Sequence, residues 1–349
     1  MKTSRRTFIP YQINGKPISK PRSLCWIGNE LIDWAGGYTR HCLDGTVHGA
    51  RVRIAFSFDC ASSSNCGTYV VVFQRLGTKG ILLRNGTIVR EINRSHYHAE
   101  AYEYPIAFLE LPNRRTALIH CPENYCRLEI EDTESGERLT HRDSELEDFF
   151  HSRLAVSPDS RYFVSAGRRW HPLDDVIVFG VDESLRDPMN LDHCDNHRLA
   201  QYGNGIEVRS AAFQENGNLL VATGDEADNP NYRDEDDKHL LGPDMIGIYD
   251  ISCKRFISIA RAQEPLGTMM PVGQQHVIGF YKHPKLMDLC TGKIEMHWPD
   301  LDSGAQLSSI VSLQALPPPT AMDPSNQRFA VAGDDGIAVI QLEDATQAS

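Results

Sequence analysis

No stretch of the 349-residue chain stays apolar for the roughly 20 residues a membrane helix needs. No apolar run follows Arg5 and Arg6 within Met1 to Pro10 either, so neither a membrane association nor an export signal is expected. Positive charge is also short: 35 Lys and Arg stand against 47 Asp and Glu, a formal net charge of -12. Binding to phosphate backbones favours a basic footprint, so nucleic acid is not an expected partner. The nine cysteines are odd in number and contain no Cys-x-x-Cys pair. Together with the missing export signal, this points to reduced thiols in the cytoplasm. Cys60 and Cys66, flanking an expected turn, are the one pair to watch for a bond.

Catalytic motifs are equally scarce. There is no Gly-x-Ser-x-Gly, no phosphate loop and no His-Glu-x-x-His. The acidic stretch Asp225 to Asp237 lacks the Asp-x-Asp-x-Asp-Gly pattern of a calcium loop and reads as a solvated loop, or as a negative lure for a basic partner. His193, Cys194, Asp195 and His197, and separately His120, Cys121 and Cys126, carry zinc-compatible groups without the paired spacing of zinc sites. His96 and His98, two apart on one strand face, read as a surface pair. No metal or cofactor is expected.

What the chain does have is repetition. Leu154 to Gly167 (LAVSPDSRYFVSAG), Ala211 to Gly224 (AAFQENGNLLVATG) and Thr320 to Gly333 (TAMDPSNQRFAVAG) align without a gap. Each is a strand, a turn rich in Pro, Asp, Asn, Ser or Gly, and a second apolar strand ending on glycine. Weaker copies lie at Leu24 to Gly36 and Ala61 to Gln74. Third strands follow, with Asp44-Gly45 and Asn85-Gly86 as hairpin turns. Pro105 to Leu111, Thr116 to His120 and Cys126 to Ile130 give a further three strands, and the turn Asp132 to Gly136 recurs as Asp288 to Gly292. The unit is therefore four antiparallel strands.

His141 to Phe149 is acidic and suggests one helical turn between units, and Asp182 to Asn204 reads as a long polar connection. The fourth unit has Val176 to Val181 as its third strand, the fifth resumes at Met245 to Ile251 after the acidic insertion, and Thr268 to Met296 is a degenerate sixth. Pro317-Pro318-Pro319 stiffens the approach to the seventh, whose third strand is Ile337 to Leu342. Seven units in 349 residues average about 50 each, which fits a ring of blades with two long insertions. The expected fold is all-β: a single seven-bladed propeller over 1–349, with an N-terminal closing strand within 1–15 and a frayed tail at 343–349.

These residues resemble the WD-repeat β-propellers. Ser157-Pro158-Asp159 matches that family's first hairpin turn, and Ile246-Gly247-Ile248-Tyr249-Asp250 stands where its Trp-Asp strand end falls. The chain departs from the family in having no Gly-His pair opening a blade and no Trp-Asp dipeptide, so the buried His, Ser or Thr, Asp and Trp network is expected to be largely missing. More narrowly, Arg75 to Gly80 and Tyr102 to Pro105 look like stretches of bacterial WD-repeat-like proteins.

The resemblance implies that loops between second and third strands, and those between blades, share one face. That face would carry Arg75, Lys79, Arg94, Tyr97, Glu123, Trp170, His171, Asp225 and Asp228, a mixture typical of protein-binding surfaces. Trp170 reads either as an anchor for a partner or as a ring packed on the neighbouring blade. The expected function is a non-catalytic scaffold for a protein or peptide. The alternative is a metal-dependent hydrolase-like enzyme at the channel mouth, drawing on Glu123, Asn124, Asp225 and Asp335.

Overall fold

Tyr69–Phe73 is apolar at all five positions and buried at all five, as a strand covered on both faces must be. Tyr69, Val71 and Phe73 pack towards the sheet that follows, with Tyr104, Ile106 and Leu118. Val70 and Val72 pack towards the sheet before, with Ile32 and Trp34. Alternation along one strand therefore links three sheets, and the same arrangement runs round the molecule. The computed structural model describes residues 2–52, 54–143, 145–169, 173–200, 206–225, 241–311 and 316–344.

Seven antiparallel blades follow in chain order, with a small hairpin of Gln12–Ile13 and Lys16–Pro17 outside them. Blade 1 is Cys25–Ile27, Glu30–Asp33, Thr39–Cys42 and Val47–His48. Blade 2 is Cys60–Ser63, Tyr69–Phe73, Lys79–Arg84 and Thr87–Asn93. Blade 3 is Ile106–Glu110, Thr116–His120 and Glu129–Asp132, its fourth strand reduced to a bridge between Glu131 and Arg138. Blade 4 is Leu154–Val156, Tyr162–Arg169 and Leu173–Gly180, with Phe149–Phe150 paired to the end of its second strand. Blade 5 is Val208–Phe213, Leu219–Thr223, Met245–Asp250 and Arg255–Arg261. Blade 6 is Met269–Val272, His276–Gly279, Lys285–Asp288 and Ile294–His297. Blade 7 is Thr320–Asp323, Arg328–Ala332 and Gly336–Asp344, completed by Lys2–Pro10 from the other end of the chain.

The apolar core is divided like the sheets. Each of its seven clusters joins two adjacent blades, and the last joins Ile9, Ala330 and Val339 of blade 7 to Leu24 and Leu31 of blade 1. The closing strand pairs over its whole length, from Lys2 opposite Asp344 to Pro10 opposite Gly336. Its outer edge carries Lys2, Arg5 and Arg6, charges that discourage edge-to-edge association.

Several details differ from the sequence reading. Glu343 and Asp344, expected in a frayed tail, end the last strand opposite Thr3 and Lys2, and 345–349 lie outside the described residues. His96 and His98 lie in the connection after Thr87–Asn93, not on a strand face. No helix occurs among the described residues of 141–149. Arg142 instead donates to Asp192 Oδ2 at 2.7 Å and to the carbonyls of Leu128 and Thr140, each at 3.0 Å, and so holds the segment against blade 3. Helical structure lies instead in the polar connection, as Val181–Arg186 with short 3₁₀ turns at Pro188–Asp192 and Cys194–His197. Asp182 and Glu183 in the first turn and Arg186 in the last suit its dipole. The expected buried network survives in fragments. In blade 4, His151 Nδ1 lies 3.1 Å from Ser165 Oγ; in blade 1, Asp33 accepts from the Ser23 and Gly36 amides at 3.0 and 2.8 Å.

Candidate functional site

The face that carries the loops between second and third strands is organised by two features. The first is a stack of aromatic rings where blades 2, 3 and 4 meet. Phe150, buried at the start of blade 4, has Tyr125 at 4.4 Å and Tyr102 at 4.7 Å between ring centroids, both nearly parallel to it. Tyr97 stacks on Tyr125 at 4.8 Å and is 47% exposed. The rings come from three segments: Tyr97 and Tyr102 from the connection between blades 2 and 3, Tyr125 from the loop within blade 3, and Phe150 from blade 4. The space left among them is 20 Å³, room for about one water, so the stack is a filled platform.

Arg94 supports that platform from beneath. Its guanidinium donates to the carbonyls of Gly77, Ala99 and Tyr102 at 2.7 to 2.8 Å and lies 4.8 Å from the centre of the Tyr104 ring. Burial pulls it down to about 10. Tyr125 is pinned by its hydroxyl, which donates to Asp148 Oδ1 at 2.6 Å; burial first, and that bond second, raise its pKa.

The second feature is the connection from blade 6 to blade 7. Gly304 accepts from the Lys282 amide at 2.7 Å. Further on, Ser309 Oγ donates to Asp174 Oδ1 of blade 4 at 2.5 Å, and the Val311 amide donates to Ala101 O at 2.8 Å. Ile310 bridges to Tyr102. Leu316 to Pro319 return past Phe58 and Arg75 to blade 7. The chain thus straps the ring from blade 6 across to blades 3 and 4. Beneath it runs the central channel, 990 Å³ and lined by the first strands, with small side chains such as Ala61, Ser62, Ala155 and Thr320 and larger ones such as Trp26, Phe108, Arg153 and Met270.

The residues singled out from sequence fall in different places. Lys79 and Glu123 are exposed, Glu123 with its carboxylate 2.8 Å from Arg138. Arg75 is held by Glu103 at 2.7 Å, both side chains largely covered. Asp225 is exposed beside Arg209 at 3.1 Å. Trp170, His171 and Asp228 lie outside the described residues. Glu123 and Asp225 each have a different arginine partner, and the one group of potential metal ligands that converges among the described residues contains none of Glu123, Asn124, Asp225 and Asp335. It contains no member of the two cysteine and histidine clusters either. All nine cysteines, Cys60 and Cys66 included, are unpaired.

Sequence reasoning passed over Tyr125, Phe150 and Ile310. The available signal was tyrosine in polar loops at 97, 102 and 125, where core packing gives no reason for it.

The architecture defines the protein as a seven-bladed β-propeller of antiparallel, mostly four-stranded blades, with little helix among the described residues. No protein-family model matches the chain, and no curated protein matches it. Among solved structures it is similar to a chain in the crystal structure of a mitotic checkpoint complex. The match covers 97% of this chain and 94% of that one, at 11% identity and a TM-score of 0.55. At that identity the likeness is one of fold. No helix of the described residues is long and apolar enough to cross a membrane.

Proposed function

We propose that the propeller is a non-catalytic scaffold that presents its strapped face to a protein or peptide partner. The observation that carries this reading is the aromatic platform. Tyr97 is a large, half-exposed ring held in place by Tyr125 and Phe150, so little side-chain freedom is lost when a partner covers it. Ile310, 43% exposed on the strap beside Tyr102, extends the apolar centre. Lys79, at the start of the third strand of blade 2, and Glu123, on the neighbouring loop of blade 3, supply the polar rim such surfaces have. The fold likeness to a chain from a protein complex supports the same reading by analogy. The unpaired cysteines suit the cytoplasm. Arg75 to Gly80 and Tyr102 to Pro105 support a place among bacterial WD-repeat-like proteins.

The test is affinity capture on immobilised full-length protein from extracts of its own cells, with Tyr97→Ser and Ile257→Ser variants alongside. Ile257 is 50% exposed on the outer strand of blade 5, away from this face. Wild type and Ile257→Ser are expected to hold the same partner. Tyr97→Ser should weaken it by about 2 kcal/mol, roughly thirtyfold. A partner retained equally by all three places the binding surface elsewhere.

A further inference from the structure

The other end of blade 6 gathers three side chains of a different character. His276 opens the second strand, Asp288 ends the third, and Glu295 lies near the start of the fourth, so all three fall at the end of the blade remote from the strap. One ligand atom from each lies within 4.8 Å of the other two. His276 and Asp288 are directly opposite in the antiparallel register, which places their side chains on one face of the sheet. Glu295 would not automatically join them. Leu286 pairs with Met296 and Met287 with Ile294, leaving Glu295 as the extra residue of a β-bulge, and a bulge re-aims the side chain it carries. Its carboxylate reaches His276 Nε2 at 3.1 Å.

Blade 5 supplies an internal comparison. It has the same bulge one step before the same kind of turn, with Asp250 capping Ser252 and Cys253 as Asp288 caps Thr291. There the bulged residue is Ile257, and the position opposite the turn aspartate falls by register to Asn218. The turn and the bulge are thus general features of a blade, whereas the imidazole and second carboxylate are particular to blade 6. Asp288 uses Oδ1 for both Thr291 bonds, at 2.7 Å each, which leaves Oδ2 to bind elsewhere.

We propose that His276, Asp288 and Glu295 form a binding site for a divalent first-row transition ion, zinc being the reference case. One imidazole and two carboxylates suit such an ion, and three protein ligands leave a position for water. Two donors each about 2.1 Å from a metal stand a little over 3 Å apart, close to the spacing of His276 and Glu295. His276 is buried and fixed by the sheet, while Glu295 is exposed and free to adjust. The ion would cross-link the last three strands of blade 6.

The experiment is equilibrium dialysis of untagged, metal-free full-length protein against Zn²⁺, with Co²⁺ absorption as a second readout. Wild type should bind one more equivalent than His276→Gln or Glu295→Gln, and each substitution should weaken that site by about tenfold or more. Asp132→Asn removes the charge of the corresponding turn residue in blade 3, where Ala117 stands opposite, and should bind as wild type does. Glu295→Gln is a surface change that keeps a hydrogen bond to His276, so its loss of metal would not reflect unfolding. Equal stoichiometry and affinity in all four proteins, or no binding by wild type, overturns the site.

Discussion

Ile9 faces Ile337 across the closing strand pair, and both side chains are completely buried. They sit in the cluster that joins blade 7 to blade 1, so the ends of the chain meet inside the core. Ile9→Ala should therefore cost about 2–5 kcal/mol in denaturant unfolding, whereas Ser4→Ala on the exposed edge of the same strand should change stability by about 0.5 kcal/mol or less. Deleting Met1 to Gln12 uncovers the edge of Gly336–Asp344 and should lower the melting temperature and promote self-association. A truncated protein that melted like the full-length one would show that the ring does not depend on this strand.

Arg142 and Asp192 form an ion pair whose side chains are 5% and 0% exposed. Removing Arg142 takes the cation from two buried carboxylates, Asp192 and Glu129, whereas removing Asp192 leaves Arg142 beside Glu129 at 3.5 Å. Arg142→Ala should cost about 3–5 kcal/mol by chemical denaturation, and Asp192→Ala less. Replacing both together with apolar residues of similar size should cost less than the two single losses combined.

The blades were legible because their information is local. Asp132 to Gly136 and Asp288 to Gly292 were recognised as the same turn by spacing, and both show a 2.9 Å bond from the glycine amide to the aspartate carbonyl and a side-chain cap from Ser135 or Thr291. Alternating burial towards two neighbours makes the middle strands largely apolar, which sequence shows directly. The face was not legible in the same way. Tyr125 meets Phe150, and Ser309 meets Asp174, through irregular segments with no period to read. Arg142 likewise overrode the helical turn expected at 141–149 through a partner far along the chain. Val181–Arg186, at six residues, is too short to display a helical repeat.

Buried histidines make the fold acid-sensitive. Burial lowers His151 from 6.5 to about 3, and lowers His41 to about 4. Both are neutral in the folded protein over a range where the unfolded chain takes up a proton. Because the unfolded state binds more protons there, stability falls as pH drops below about 6.5, and the loss continues to about pH 4 for His41 and about pH 3 for His151. Denaturation midpoints measured from pH 7 to pH 4 should decline, and His151→Asn should flatten that decline relative to its own value at pH 7. A midpoint independent of pH across this window would contradict the buried, neutral state of these rings.

Ser309, part of the strap, is fully buried, and its hydroxyl donates to Asp174, itself only 1% exposed. Arg168 is the nearest cation to that carboxylate, at 3.5 Å. Ser309→Ala removes a charge-assisted bond and leaves a buried oxygen short of a donor, at a cost of about 1–3 kcal/mol. The blades do not share this contact, so the loss should appear as local opening of the strap. Hydrogen exchange is the direct measurement: the Val311 amide, bonded to Ala101 O, should exchange roughly tenfold faster or more, while amides of Phe163 to Ser165 in blade 4 keep their rates. Uniform acceleration at both places would mean that the strap and the ring open as one unit. No acceleration at Val311 would mean that Ser309 does not hold the strap down.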